Sequence, residues 1–66
     1  MTIMINGTSR QVPAFKNLSE IVSNYCQEPR HVITELNGAI IPSDHWGETT
    51  LKEGDVLELV TFVGGG

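Results

Sequence analysis

The residues best suited to chemistry are three consecutive glycines, Gly64, Gly65 and Gly66, which follow the strand-like run 57–63. They place a main-chain carboxylate on a tether without side chains. Because glycine has no Cβ, such a tether can thread a narrow channel and let an activating group and a nucleophile approach the terminal carbonyl. The competing interpretation is a frayed terminus or an expression scar, since glycine-rich chain ends are often disordered or artificial.

Other residue types that do chemistry are present without partners at a useful spacing. His31 and His45 are isolated, and no second cysteine joins Cys26 to complete a set of metal ligands, so we expect no metal site. Cys26 lies at the side of an apolar helical stripe and is interpreted as a small hydrophobic residue rather than a sulfur-bearing nucleophile. The Gly66 carboxylate is therefore the functional group with the strongest physical argument.

A carboxylate of this kind is a poor electrophile until it is activated. Adenylation by ATP would convert the Gly66 carboxylate into a mixed anhydride, and attack by sulfur would then give a nucleophilic thiocarboxylate. The folded part would serve as a handle that presents the reactive atom at high effective concentration. In this hypothesis the protein is a co-substrate of partner enzymes rather than an enzyme, and it binds no cofactor of its own.

Size and charge limit the remaining classes of function. The 66 residues correspond to one domain, which buries only about 60% of its unfolded surface and leaves little room for a separate catalytic cleft. Eight acidic and four basic side chains give a net charge of −4, which argues against binding nucleic acid and suits a basic surface on a protein partner.

The single cysteine cannot form an internal disulfide, whereas small secreted domains normally carry several. The sequence also shows no signal peptide at Met1 and no apolar run long enough to cross a bilayer. We therefore expect a cytoplasmic protein that does not bind membranes.

Two Asn-Gly pairs predict two β-hairpins. Asn6-Gly7 separates strands at 2–5 and 9–12, and Asn37-Gly38 separates strands at 32–36 and 39–41. Between the hairpins, Leu18, Ile21, Val22 and Tyr25 recur at helical spacing. This pattern predicts a helix with Asn17 as its N-cap, Glu20 completing a capping box, and an end near Gln27, since Pro29 disfavours helix at Glu28.

The last third of the sequence predicts a loop, a turn and a final strand. Pro42 closes the second hairpin, residues 43–51 read as a loop with a helical turn at 44–46, and residues 52–55 form a turn before a strand that begins at Val56. Trp46 is expected to cover the core. The order ββ-α-ββ-β predicts an α+β fold in which one mixed sheet curls around the helix.

The final strand divides by alternation into two faces. Leu57, Leu59, Thr61 and Val63 are predicted to meet the helix. Val60 and Phe62, on the other face with Val56 and Glu58, are predicted to be exposed next to the glycines. Because clustered exposed apolar residues suggest an interface, Val60 and Phe62 are the predicted partner-docking residues. The alternative is that a loop covers them.

The sequence resembles the sulfur carriers of thiamine biosynthesis, the ThiS-type proteins of the ubiquitin-like β-grasp fold, over nearly its whole length. The resemblance rests on five segments: Met4-Ile5-Asn6-Gly7, Leu36-Asn37-Gly38, Ile41-Pro42 with Trp46, Leu51-Lys52-Glu53-Gly54-Asp55, and residues 60–66. It implies a β-grasp domain at residues 1–63 and a flexible tail at residues 64–66.

The resemblance also implies three partners. An E1-like adenylyltransferase would use ATP to activate Gly66, a cysteine desulfurase or related donor would supply sulfur, and thiazole synthase would accept it. A small subunit of molybdopterin synthase is the main alternative, and it is less favoured because Phe62-Val63 stands where that family tends to have proline. A ubiquitin-like modifier that conjugates Gly66 to lysine, and a binding-only domain whose tail is incidental, remain open.

Overall fold

A computed structural model describes residues 1–13, 17–26 and 28–62 of the chain. These ranges contain one α-helix, two short 3₁₀ helices at Pro29–His31 and Ser43–Glu48, and five strands. In chain order the strands and the α-helix are β1 (Thr2–Ile5), β2 (Thr8–Gln11), α1 (Leu18–Tyr25), β3 (Val32–Leu36), β4 (Ala39–Ile41) and β5 (Val56–Thr61). The predicted order ββ-α-ββ-β is confirmed.

Both predicted hairpins form with the backbone that their Asn-Gly pairs favour. Asn6 and Gly7 have φ values of 50° and 81°, and Asn37 and Gly38 have values of 51° and 88°. Positive φ at both central positions defines the type I′ turn, whose twist matches that of the antiparallel strands on either side. The turns therefore fix the registers of β1 with β2 and of β3 with β4.

Helix α1 begins with the predicted capping box. The Glu20 amide donates to Asn17 Oδ1 at 2.9 Å, and the Asn17 amide donates to Glu20 Oε1 at 3.3 Å. The helix ends at Tyr25, before the predicted end near Gln27, because Cys26 already has extended dihedral angles (φ −131°, ψ 130°). Gln27 itself lies outside the described residues.

The sheet has the strand order β2-β1-β5-β3-β4. Strand β5 runs parallel to β1 and antiparallel to β3, so the sheet is mixed, as predicted. Helix α1 buries Leu18, Ile21 and Val22 in the core on one side of the sheet. The strands contribute Ile3, Ile5, Val32, Leu57 and Leu59 to the same core.

The segment between β4 and β5 is more regular than the predicted loop. A six-residue 3₁₀ helix spans Ser43–Glu48 and buries Trp46. The indole Nε1 donates to Thr34 Oγ1 and to the Ile41 carbonyl oxygen, both at 3.0 Å. These bonds satisfy the one polar atom of the ring and confirm that Trp46 covers the core.

Strand β5 begins at Val56 as predicted and ends at Thr61, and Val63 lies outside the described residues. Leu57 and Leu59 face the helix and are buried. The prediction that Thr61 joins them in contact with the helix is wrong, because its side chain is exposed. The helix stops at Tyr25, and Thr61 lies along an open groove beside that helix end instead of in the core.

Candidate functional site: the strand that leads to the glycines

Strand β5 is held in the middle of the sheet by bonds from both neighbouring strands. On the β1 side, the Met4 amide donates to the Asp55 carbonyl oxygen at 2.9 Å and the Asn6 amide to the Leu57 carbonyl oxygen at 3.0 Å. The Asn6 side chain continues this ladder: it accepts from the Leu59 amide at 2.8 Å and donates to the Leu59 carbonyl oxygen at 3.2 Å. The turn residue therefore substitutes for a strand partner where β1 has ended.

The second Asn-Gly turn holds the beginning of β5. The Val56 amide donates to Asn37 Oδ1 at 2.9 Å, and Asn37 Nδ2 donates to the buried carboxylate of Asp55 at 3.0 Å. The same carboxylate accepts from the Lys52 amide at 2.8 Å. Burial alone would raise the pKa of Asp55, but the bonds from Asn37 and Lys52, with the nearby Lys52 ammonium, lower it below its ordinary value.

The two predicted docking residues are exposed near the end of β5. Val60 is 54% exposed and Phe62 is 44% exposed. Phe62 follows the strand, but its amide still donates to the His31 carbonyl oxygen at 2.9 Å. The rings of Phe62 and His31 lie 5.7 Å apart between centroids, so Phe62 is anchored on one side and open on the other.

The exposed apolar surface is wider than the sequence analysis predicted. We call this surface the outer face, the side of the sheet that points away from α1. Besides Val60, the exposed apolar side chains on it are Met4 on β1, Ile33 on β3, Ile40 on β4 and Val56 on β5. Alternation within each strand could have assigned these residues to one side, but only the strand order places the four strands together.

Two carboxylates lie within the outer face. Glu58 on β5 is the direct cross-strand partner of Glu35 on β3, and Val56 and Val60 flank Glu58 on its own strand. No basic group of the described residues comes within 4.0 Å of either carboxylate. The outer face is therefore apolar with a negatively charged centre.

The sequence profile of the ThiS family matches residues 3–66. The chain belongs to the ThiS family. This match confirms the resemblance to the ThiS-type proteins. The sulfur carrier protein ThiS of Bacillus subtilis (strain 168) is 39% identical over 49 residues, which are 74% of this chain and 74% of that protein.

A solved structure and two larger proteins are also similar to this ThiS-family chain. The crystal structure of the thiamine biosynthesis protein ThiS from Geobacter metallireducens has a TM-score of 0.86 at 32% identity and covers 100% of both chains, which confirms the β-grasp fold. Thiazole synthases of Paramagnetospirillum magneticum and Magnetococcus marinus are each 32% identical over 66 residues. This chain spans 20% of the length of these thiazole synthases.

Part of the predicted ThiS-family site lies beyond the described residues. Gly64, Gly65 and Gly66 are among the residues that the structure does not describe, so their role stays a prediction. Cys26, considered as an alternative sulfur site, is half-buried against the core, and burial raises the pKa of its thiol. A smaller thiolate fraction at neutral pH makes Cys26 a weaker nucleophile.

The histidines do not assemble a metal site within the described ranges. His45 Nε2 lies 3.9 Å from the carboxylate of Asp44, and His45 Nδ1 lies 3.7 Å from the carboxylate of Glu48. No group of three or more metal-ligating side chains converges in the described part of the chain. In the same part, no helix is long and apolar enough to cross a membrane.

Proposed function

We propose that this ThiS-family sulfur carrier bears its sulfur on the carboxylate of Gly66, as a thiocarboxylate. The observation that supports the proposal most directly is the anchoring of β5. The strand is bonded on both sides in the middle of the sheet, and the three glycines follow it after only Phe62 and Val63. A rigid support that leads into a slim tether is what a partner enzyme needs to place one carbonyl carbon.

The chemistry begins with an E1-like adenylyltransferase. Attack of a Gly66 carboxylate oxygen on the α-phosphorus of ATP forms an acyl adenylate and releases pyrophosphate. A sulfur nucleophile from a cysteine desulfurase or a related donor then attacks the acyl carbon, and AMP departs with the carbon–oxygen bond electrons. When the nucleophile is a donor persulfide, the product is an acyl disulfide. A thiol that attacks its donor-side sulfur breaks the S–S bond, forms a disulfide with the donor and leaves the carrier as the thiocarboxylate. ATP is thus a substrate of the partner, and the carrier supplies the acyl group.

Thiazole synthase is the proposed acceptor of the sulfur. The similarity of the whole chain to a region of two thiazole synthases supports this assignment, because it shows that a carrier-like sequence occurs within thiazole synthases. A carrier that delivers sulfur to thiazole synthase acts as a co-substrate of that enzyme. In this proposal the partner enzymes, and not the carrier, catalyse the reactions.

The outer face, together with the neighbouring Phe62, is the proposed docking surface for the adenylyltransferase, and Val60 and Phe62 are its residues nearest the tail in the sequence. Its exposed apolar side chains would lose water on docking, which is the main driving force of such contacts. The Glu35 and Glu58 carboxylates at its centre favour a partner surface that carries lysine or arginine, and complementary charge increases the association rate. The glycines would then enter the nucleotide site of the partner.

Intact-mass analysis tests the carrier hypothesis. We expect the protein, incubated with the adenylyltransferase, ATP and a sulfur donor, to gain the mass of one oxygen-to-sulfur exchange, located in the peptide that contains Gly66. Cys26→Ser is the matched control and should gain the same mass. Sulfur that is lost with the Cys26→Ser substitution, or that is found in the peptide containing Cys26, would contradict the proposal.

A further inference from the structure

A groove lies on the opposite side of the sheet from the outer face, next to the end of α1. Its volume is about 300 Å³, and it runs between the β1–β2 hairpin, the end of the helix and the last residues of β5. The buried residues Ile5 and Leu59 give it an apolar floor, and the threonines Thr8 and Thr61 also line it. Thr61 is also the last residue of β5, so the groove borders the start of the segment that leads to the glycines.

The cation in this groove is Arg10 of β2. Arg10 is the cross-strand partner of the buried Ile3 and therefore points to the helix side of the sheet. Its Cζ atom lies 5.6 Å from the ring centroid of Tyr25, which also lines the groove. A guanidinium that lies over an aromatic ring within about 6 Å is attracted to it, while its N–H groups remain available to an anion.

Arg10 differs from the other described arginine and lysine side chains in having no carboxylate beside it. Arg30 lies 4.0 Å from Glu28, and the Lys52 ammonium lies 3.4 Å from Asp55. Within residues 1–13, 17–26 and 28–62, no carboxylate oxygen comes within 4.0 Å of the Arg10 guanidinium. In a chain with net charge −4, a positioned arginine without an acidic neighbour indicates a site for an external anion.

The chemistry of the groove fits the side chain of an acidic residue. A planar guanidinium can donate two parallel hydrogen bonds to one carboxylate, and the hydroxyls of Thr8 and Thr61 add neutral donors. The apolar floor suits the methylene groups of such a side chain. The volume is at the lower limit of pockets for small molecules, roughly 300–1,000 Å³, and is sufficient for one or two protein side chains.

We propose that the groove receives an aspartate or glutamate side chain of thiazole synthase and that Arg10 binds its carboxylate. The inference rests on the proposed function, in which two enzymes handle the same tail in succession. The outer face and the groove lie on opposite sides of β5, and both extend to the last residues of this strand. The adenylyltransferase uses the outer face, and the groove serves the enzyme that accepts the sulfur.

Binding of thiazole synthase to matched arginine variants tests the proposal. Because hydrogen bonds to charged groups contribute substantially, we expect Arg10→Gln to raise Kd by roughly 10- to 100-fold. Arg30→Gln removes the same charge from a side chain that is 86% exposed and paired with Glu28, and should change Kd by less than about twofold. Arg10→Lys, which keeps the charge but not the planar fork, should bind with intermediate affinity.

A second pair of variants tests the groove without removing Arg10. Thr8→Glu places a competing carboxylate on the strand beside Arg10 and should weaken binding as Arg10→Gln does. Thr8→Gln keeps a neutral hydrogen-bond donor at this position and should weaken binding much less than Thr8→Glu. Thermal melts of all the variants identify any loss of binding that comes from unfolding. Pyrophosphate exchange by the adenylyltransferase should change by less than about twofold for Arg10→Gln, since the outer face is intact.

The outcomes separate this inference from the proposed function. If the wild type binds thiazole synthase and folded Arg10→Gln and Thr8→Glu bind equally well, the groove assignment is wrong and the carrier function stands. If Arg10→Gln impairs pyrophosphate exchange as much as it impairs binding of thiazole synthase, the groove does not distinguish the two partners. Failure of the wild type to bind thiazole synthase would overturn both this inference and the assignment of thiazole synthase as the acceptor, whereas the thiocarboxylate on Gly66 is tested separately by intact-mass analysis.

Discussion

The two faces of β5 differ sharply in solvent exposure. Over residues 55–60, which include the residue before the strand, the side chains alternate between the core and the outer face. The side chains of Asp55, Leu57 and Leu59 point inward and are 3%, 0% and 8% exposed, whereas Val56 and Val60 point outward and are 42% and 54% exposed. The inward set holds the domain together. Val56 and Val60 are apolar like Leu57 and Leu59, yet they are exposed to solvent. The alternation of side chains along this strand therefore separates residues needed for stability from residues available to a partner.

The largest expected difference is between two neighbouring positions of β5. Leu59→Asp places a charge in the core and should reduce the free energy of unfolding by at least about 3 kcal/mol, a large part of the stability of a small domain. Val60→Asp should reduce it by less than about 1 kcal/mol because the side chain is in water, but it should weaken docking of the adenylyltransferase. Urea denaturation and binding titrations measure the two effects.

The neutral variants Leu59→Asn and Val60→Asn are the controls for these substitutions. They separate the effect of charge from that of the lost apolar side chain. Similar losses of stability for Leu59→Asp and Val60→Asp would show that the two faces of β5 are assigned wrongly.

The second prediction concerns the buried carboxylate at the start of the inward set. The Asp55 carboxylate accepts hydrogen bonds from Asn37 and Lys52, and Asp55→Asn replaces one of its two acceptor oxygens by an amide group. This substitution should lower the free energy of unfolding by about 1–3 kcal/mol at pH 7. Because folding lowers the pKa of Asp55, the wild type gains stability from this group above its unfolded pKa of about 3.9 and loses it as pH falls through the folded pKa. The difference in free energy of unfolding between the wild type and Asp55→Asn should therefore become smaller at acidic pH.

Urea midpoints measured from pH 7 to strongly acidic conditions follow this difference. Asp44→Asn is the control, since Asp44 is an exposed carboxylate in the 3₁₀ helix and its variant should remain close to wild type at each pH. A stability difference for Asp55→Asn that grows as the pH falls would contradict the assigned sign.

The smallest effect is expected on the outward set, and it has the opposite sign. Glu58 and Glu35 are direct cross-strand partners, and like charges in this relation destabilise a sheet. Glu58→Gln should therefore raise the free energy of unfolding by about 0.2–1 kcal/mol at low salt, while it weakens docking of a basic partner. Glu35→Gln and the double variant complete a double-mutant cycle. The effects of the two substitutions on the free energy of unfolding should not be additive. A loss of stability in Glu58→Gln would show that repulsion is not the main interaction there.

The local elements could be predicted from the sequence because their signals are local. The Asn6-Gly7 and Asn37-Gly38 turns need positive φ at two adjacent residues, and few other dipeptides provide it. The capping box of Asn17 and Glu20 depends on a spacing of three residues in one turn. The 3₁₀ helix Ser43–Glu48 was predicted only in part, because its stability comes from the burial of Trp46 against distant strands.

The features that depend on distant residues could not be read from the sequence. Alternation correctly separated Leu59 from Val60, but it assigned Thr61 to the core because it contains no information on where α1 ends. The contact of Arg10 with Tyr25 joins a strand to a helix and depends on the register of β1 with β2. A groove of this kind becomes visible only when the tertiary arrangement is known.

The position of β5 in the sheet also determines when the protein becomes competent during synthesis. β5 is the last described strand to be made, yet it lies between β1 and β3 in the sheet and joins the two hairpins. Both hairpins can form early from local contacts, but the pairing of Met4 with Val56 is highly non-local and must come late in folding. The outer face, which uses residues of both hairpins and β5, is therefore completed only when the strand leading to the glycines is inserted. Partner enzymes that recognise this face would thereby select finished carriers over nascent or truncated ones.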